Sequence, residues 1–176
     1  MQENLPIVYL AVLLILLTGV AVFLVQQVYK TTKQEKTISR LLELLKNNKG
    51  TAQECYELGS IYLDKKIYVQ AIFLFQKALK INENEIEPEN KALIYNALGF
   101  AYFAQEQYDL SIRNYKDAIK LYPEYEVALN NLANTYEKKQ MIAKAIETYE
   151  ETLKYNSDNK TAKKRAEALR KRLVTS

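Results

Sequence analysis

The sequence has no histidine and no tryptophan, one cysteine, three prolines and four glycines in 176 residues. Without histidine there is no imidazole for acid–base catalysis or metal binding. A lone Cys55 excludes an intramolecular disulfide and a cysteine-based zinc cluster. No glycine-rich phosphate loop is present. The carboxylates are scattered at ordinary helical spacings, as with Glu147 and Glu151, and do not converge on a nucleophile. No catalytic residue, metal ligand, cofactor or small-molecule substrate is therefore expected, and the chain reads as a binder and not an enzyme.

A second absence is local. From Leu5 to Val25 the stretch LPIVYLAVLLILLTGVAVFLV carries no charge. A helix of about 21 residues rises about 31 Å, the thickness of a bilayer core. Pro6 falls in its first turn, where a missing N–H costs little. A cleaved signal would need a basic start, and only Glu3 among the charged residues precedes Pro6. The expectation is an uncleaved single-span anchor over residues 1–29. Lys30, Lys33, Lys36, Arg40, Lys46 and Lys49 all follow the span and none precedes it, which predicts that the remainder stays on the side of synthesis. The formal net charge of +4 is concentrated beside the span and at the C-terminus. A nucleic-acid partner would call for a basic stripe with interleaved aromatics or a known module, and neither is seen.

Residues 30–51 read as a basic neck with an amphipathic helix over Thr37–Asn48, where Ile38, Leu41, Leu42 and Leu45 share a face and Gly50 offers a left-handed cap. That helix is expected to pack on the following domain, with an interfacial position on the membrane as the rival. Beyond it the chain repeats itself. LGSIYL from Leu58 returns as LGFAYF from Leu98 and as LANTYE from Leu132, at intervals of 40 and 34 residues. One register aligns Cys55, Leu58, Gly59, Tyr62, Ala71, Phe75 and Ala78 with Tyr95, Leu98, Gly99, Tyr102, Ser111, Tyr115, Ala118 and Pro123. The third copy supplies Leu129, Leu132, Ala133, Tyr136, Ala145, Tyr149 and Thr152.

This is the tetratricopeptide (TPR) pattern of a 34-residue helix–turn–helix. The small residues at Gly59, Gly99 and Ala133 let paired helices approach, and the tyrosines fill the space between. The expected fold is all-α: a right-handed TPR superhelix of three repeats plus a capping helix, behind a transmembrane helix. Repeats are expected at 52–81, 91–124 and 125–158, with an acidic insertion loop at 82–90 and a basic cap at 159–176. In the cap, Ala162, Ala166, Leu169 and Leu173 should face inward.

Such stacks bind on the concave face lined by the first helix of each repeat. The register places Gln53, Tyr56, Ser60, Leu93, Asn96, Phe100, Phe103, Val127, Asn130 and Asn134 there. Phe100 and Phe103 are not signature residues, and aromatics beside amides suit a protein-binding patch. The alternative is that the amphipathic helix itself fills this groove. Tyr56 and Ser60 occupy the places where TPR clamps for chaperone C-termini carry Lys and Asn, so that function is not expected.

The span, the neck TTKQEKTISRLLELL and the segment YELGSIYLDKKIYVQAIFLFQKALK together resemble the thylakoid-anchored TPR proteins of red-algal plastids and cyanobacteria. That family, a hypothetical chloroplast frame, is related to a nuclear-encoded plant assembly factor. The resemblance covers nearly the whole chain. It implies a stromal domain that holds photosystem I subunits or other assembly factors at the thylakoid surface, and it carries no residue-level site. Two other readings stay open: a membrane-tethered adaptor for another complex, such as protein translocation, and an RNA-tethering protein using Lys163, Lys164, Arg165, Arg170 and Arg172.

Overall fold

A computed structural model describes residues 5–47, 50–81 and 86–175. The described residues form eight α-helices and no strand. They fall into two units, residues 1–48 and 49–176.

The first unit is one helix, α1, running from Leu5 to Lys46 over 42 residues. Its large apolar side chains from Val8 to Tyr29 are exposed, and it is long and apolar enough to cross a membrane. Within the apolar run the Thr18 hydroxyl donates to the Leu14 and Ile15 carbonyls at 3.0 and 2.8 Å. It is thereby satisfied without water, as a hydrocarbon setting requires. The separate helix expected over Thr37–Asn48 is the end of this same helix. The reason lies in QQVYKTTKQEK, which contains neither Gly nor Pro to break it. Its hydroxyls also turn back onto the helix, Thr31 to the Gln27 carbonyl at 2.9 Å, Thr37 to Lys33 at 3.1 Å and Ser39 to Glu35 at 3.0 Å. The expected Gly50 cap adjoins Asn48 and Lys49, which lie outside the described residues.

The second unit opens at a capping box. The Glu54 amide donates to Thr51 Oγ1 at 3.3 Å, and the Thr51 amide donates to the Glu54 carboxylate at 2.8 Å, which starts α2 (Ala52–Asp64). There follow α3 (Tyr68–Lys80), α4 (Pro88–Ala104), α5 (Tyr108–Leu121), α6 (Glu126–Lys138), α7 (Ile142–Tyr155) and α8 (Lys160–Thr175). Each repeat is an antiparallel pair, α2 with α3, α4 with α5 and α6 with α7. Neighbouring repeats join through α3 with α4 and α5 with α6, and α7 carries α8. The first helices of successive repeats also touch, α2 with α4 and α4 with α6.

The turn inside each repeat is built the same way. Lys66, Glu106 and Gln140 have φ of 61°, 59° and 60°. The next residue's amide donates back to the signature tyrosine's carbonyl, Ile67 to Tyr62 at 2.8 Å, Gln107 to Tyr102 at 2.9 Å and Met141 to Tyr136 at 2.9 Å. This is a Schellman cap with an ordinary residue where glycine is commonest.

Close packing explains the signature residues. A Cβ placed on Gly59 would lie 2.7 Å from the Phe75 ring, and one on Gly99 would lie 2.8 Å from the Tyr115 ring. Cys55, Leu58, Ala71, Phe75, Ala78, Ser111, Tyr115, Ala118, Leu129, Ala133, Ala145, Tyr149 and Thr152 are all buried. In the cap Ala162, Ala166 and Leu169 are buried as expected, whereas Leu173 is 51% exposed. The helix outruns the surface of α7 that its earlier turns cover.

The long interval between the first two repeats is mostly helix. α4 has 17 residues where α2 and α6 have 13. Pro88 at its first position and Glu89 in its first turn favour a helix start. Pro88–Asn90 therefore belong to α4, although they were expected in the acidic loop. Asn82–Glu85 of that loop lie outside the described residues.

Candidate functional site

The ten positions expected to line the groove lie on α2, α4 and α6, the helices that touch their counterparts in the next repeat. Gln53, Leu93, Phe100 and Val127 are exposed, and the other six are half-buried. Phe100 and Val127 keep 43% and 52% of their surface, a large apolar area for residues the stack does not need for packing.

Four of the others are engaged within the domain. Phe103 packs its ring against Tyr108, with centroids 5.7 Å apart, and Tyr56 packs on Phe75 at 5.8 Å. Asn96 uses both ends of its amide: Nδ2 donates to the Tyr125 hydroxyl at 3.3 Å, and Oδ1 accepts from Asn131 Nδ2 at 3.1 Å. Asn130 Nδ2 donates to Asn159 Oδ1 at 3.4 Å, while Asn130 Oδ1 is buried with no hydrogen-bond partner among the described residues. The Glu126 carboxylate accepts from both Asn156 and Asn159 Nδ2, each at 2.9 Å. An amide network thus stitches α4 to α6 and α6 to the start of α8.

Four members of this face were not anticipated: Tyr122, Tyr125, Asn131 and Asn159. Tyr122 and Tyr125 flank Pro123 between α5 and α6, and their rings stack with centroids 5.6 Å apart. Burial pushes the Tyr125 phenol above its ordinary pKa, the nearby Tyr56 and Tyr122 phenols add to this, and the Asn96 hydrogen bond opposes it. The YPEY spelling of the loop was the available signal, since aromatics around a helix stop have no role in the repeat signature.

Cys55 is fully buried and burial raises its thiol pKa, so it is held as a neutral thiol. In the basic cap, Arg165 is paired with Glu137 and Arg170 with Glu150. These two arginines of the RNA-tethering alternative are already engaged within the protein.

Comparisons with known proteins agree with this geometry. Two family models described as "Tetratricopeptide repeat" match residues 50–124 and 102–169. The ycf37 protein of Guillardia theta is 35% identical over 174 residues, covering 99% of this chain and 97% of its own. The chloroplastic tetratricopeptide repeat domain-containing protein PYG7 of Arabidopsis thaliana is 32% identical over 172 residues, covering 98% of this chain and 56% of its own. Among solved structures, the first TPR of Spaghetti (RPAP3) bound to the HSP90 peptide SRMEEVD superposes with a TM-score of 0.63. It is 18% identical and covers 70% of this chain and 94% of that one, a likeness of fold.

Proposed function

The chain belongs to the ycf37 family of plastid TPR proteins, and from that premise we propose that it is a membrane-anchored scaffold assisting assembly of photosystem I at the thylakoid. Its TPR stack is a protein-interaction fold, and α1 supplies a segment able to hold that stack at a membrane. The observation that carries the binding part is the exposed apolar row of Leu93, Phe100 and Val127 beside a preformed amide network. Apolar anchors in a polar setting are the composition of a protein-binding surface. The assignment to photosystem I rests on the family resemblance of the anchor, neck and first repeat.

The mechanism is local concentration without chemistry. A subunit held weakly on a tethered domain stays near its insertion site, and its effective concentration rises with no new contact. The domain is proposed to lie on the stromal or cytoplasmic side, because the positive residues follow the span.

The test is disruption of the gene with photosystem I and photosystem II quantified separately. Photosystem I should fall while photosystem II holds. Unchanged photosystem I would overturn the assignment, and co-purification with another membrane complex would then support the adaptor reading.

A further inference from the structure

The second helices of the repeats form a face of their own, and it is not uniform. Gln76 Nε2 on α3 donates to the Tyr102 hydroxyl at 3.0 Å, latching the first repeat onto the signature tyrosine of the second. One repeat on, in the same register, Lys116 stands for Gln76 and Tyr136 for Tyr102. Lys116 does not restore the latch. Its ammonium lies 6.0 Å from the centre of the Tyr136 ring, and that of Lys144 lies 5.9 Å away. Both sit at the outer limit of a cation–π contact. Between α5 and α7 a cleft of about 450 Å³ is lined by these residues.

The walls of this cleft carry two like-charged pairs. Lys116 and Lys120 lie one turn apart on α5, and Glu147 and Glu151 lie one turn apart on α7. Like charges at this spacing destabilise a helix. None of these four, nor Lys144, forms an ion pair among the described residues. Elsewhere in the same stack, opposite charges far apart in sequence do meet: Lys139, capping the end of α6, pairs with Asp109 on α5, and Arg165 on α8 with Glu137 on α6. The fold therefore pairs charges across helices in other places and leaves these apart around an open cleft.

We propose that the α5–α7 cleft is a second binding site, and that it takes a peptide segment of a partner protein bearing a carboxylate and, a few residues away, a cationic side chain. The carboxylate seats among Lys116, Lys120 and Lys144 over the Tyr136 ring, and the cation faces Glu147 and Glu151. Charge complementarity of this kind sets orientation and partner choice. The site is on the second helices of the repeats, so a segment held there leaves the α2–α4–α6 face free for another.

The full chain in detergent micelles, with its lysines carrying ¹³C-dimethyl groups that keep their charge, is titrated with two blocked synthetic peptides. One contains Glu-Ala-Ala-Ala-Lys, and the other has Gln in place of Glu. The methyl signals of Lys116, Lys120 and Lys144 should shift saturably with the first peptide only. Lys120→Gln, an exposed change that leaves the Tyr136 contacts in place, should weaken binding by about fivefold. Phe100→Ala on the other face should leave it unchanged. Equal shifts with both peptides would overturn the site. So would equal shifts at the exposed Lys163 and Lys164, or undiminished affinity in Lys120→Gln at unchanged helicity.

Discussion

Gly99 faces the Tyr115 ring so closely that a Cβ on the glycine would stand 2.8 Å from it. Alanine at this position gains helix propensity, about 1 kcal/mol. It also forces a fully packed ring to move, which costs about 1–3 kcal/mol. Gly99→Ala should therefore lower stability by up to about 2 kcal/mol in urea unfolding. The third repeat already carries a methyl at this place, and Ala133→Gly should cost about 1 kcal/mol for the opposite reason, lost backbone restriction.

The two groove phenylalanines should part company. Phe100 is 43% exposed, so Phe100→Ala should leave melting nearly unchanged and weaken partner capture by about tenfold. Phe103 packs on Tyr108, so Phe103→Ala should lower the melting temperature as well as binding. Thermal unfolding beside a pull-down of each single variant separates the two.

The bond between Asn131 and Asn96 joins consecutive repeats. Asn131→Ala removes the donor and leaves Asn96 Oδ1 without its partner. A loss of about 1 kcal/mol is expected, with hydrogen exchange quickening in α6 more than in α2.

At the three repeat turns, residues with side chains hold φ near 60°. Left-handed backbone costs a non-glycine residue roughly 1 kcal/mol. Lys66→Gly, Glu106→Gly and Gln140→Gly should each stabilise the domain by about 0.5–1 kcal/mol, and additively, because the turns are well separated.

Alkaline unfolding should report the buried phenols. Burial raises Tyr115 and Tyr149 above the ordinary value of 10.0. The folded state thus keeps protons that the unfolded chain releases. Their contribution is whole below about pH 10 and is lost as pH rises through the higher folded values. Stability measured against pH should fall from about pH 10 upward, and Tyr115→Phe should flatten that fall.

The repeats were legible because each signature residue answers a local demand: a small residue under a ring, a ring over a small residue, a proline after a helix. A close helix approach at Gly59 and a helix stop at Pro123 could be read from spacing alone, whereas the ring that meets Gly59, Phe75, is a finding of the structure. On the face expected to bind, exposure was legible where residues act singly, as with Phe100 and Val127. It was not where they act in networks. Asn96 looked free because its partners Tyr125 and Asn131 stand 29 and 35 residues away, and no periodicity pairs one amide with another at that distance. Leu173 continued the apolar spacing of α8, yet burial depends on whether a neighbouring helix reaches that far.

The unbroken course of α1 has a mechanical meaning. A helix without a hinge transmits rotation as well as length, so the azimuth of Lys33, Lys36 and Arg40 is locked to that of the apolar run before them. Removing one residue near Thr31 would swing these cations by about 100° about the axis and draw them in by about 1.5 Å, whereas removing seven would restore their bearing to within about 20°. The neck is in this sense a compass needle, and a ladder of deletions through it would read out which way the needle has to point.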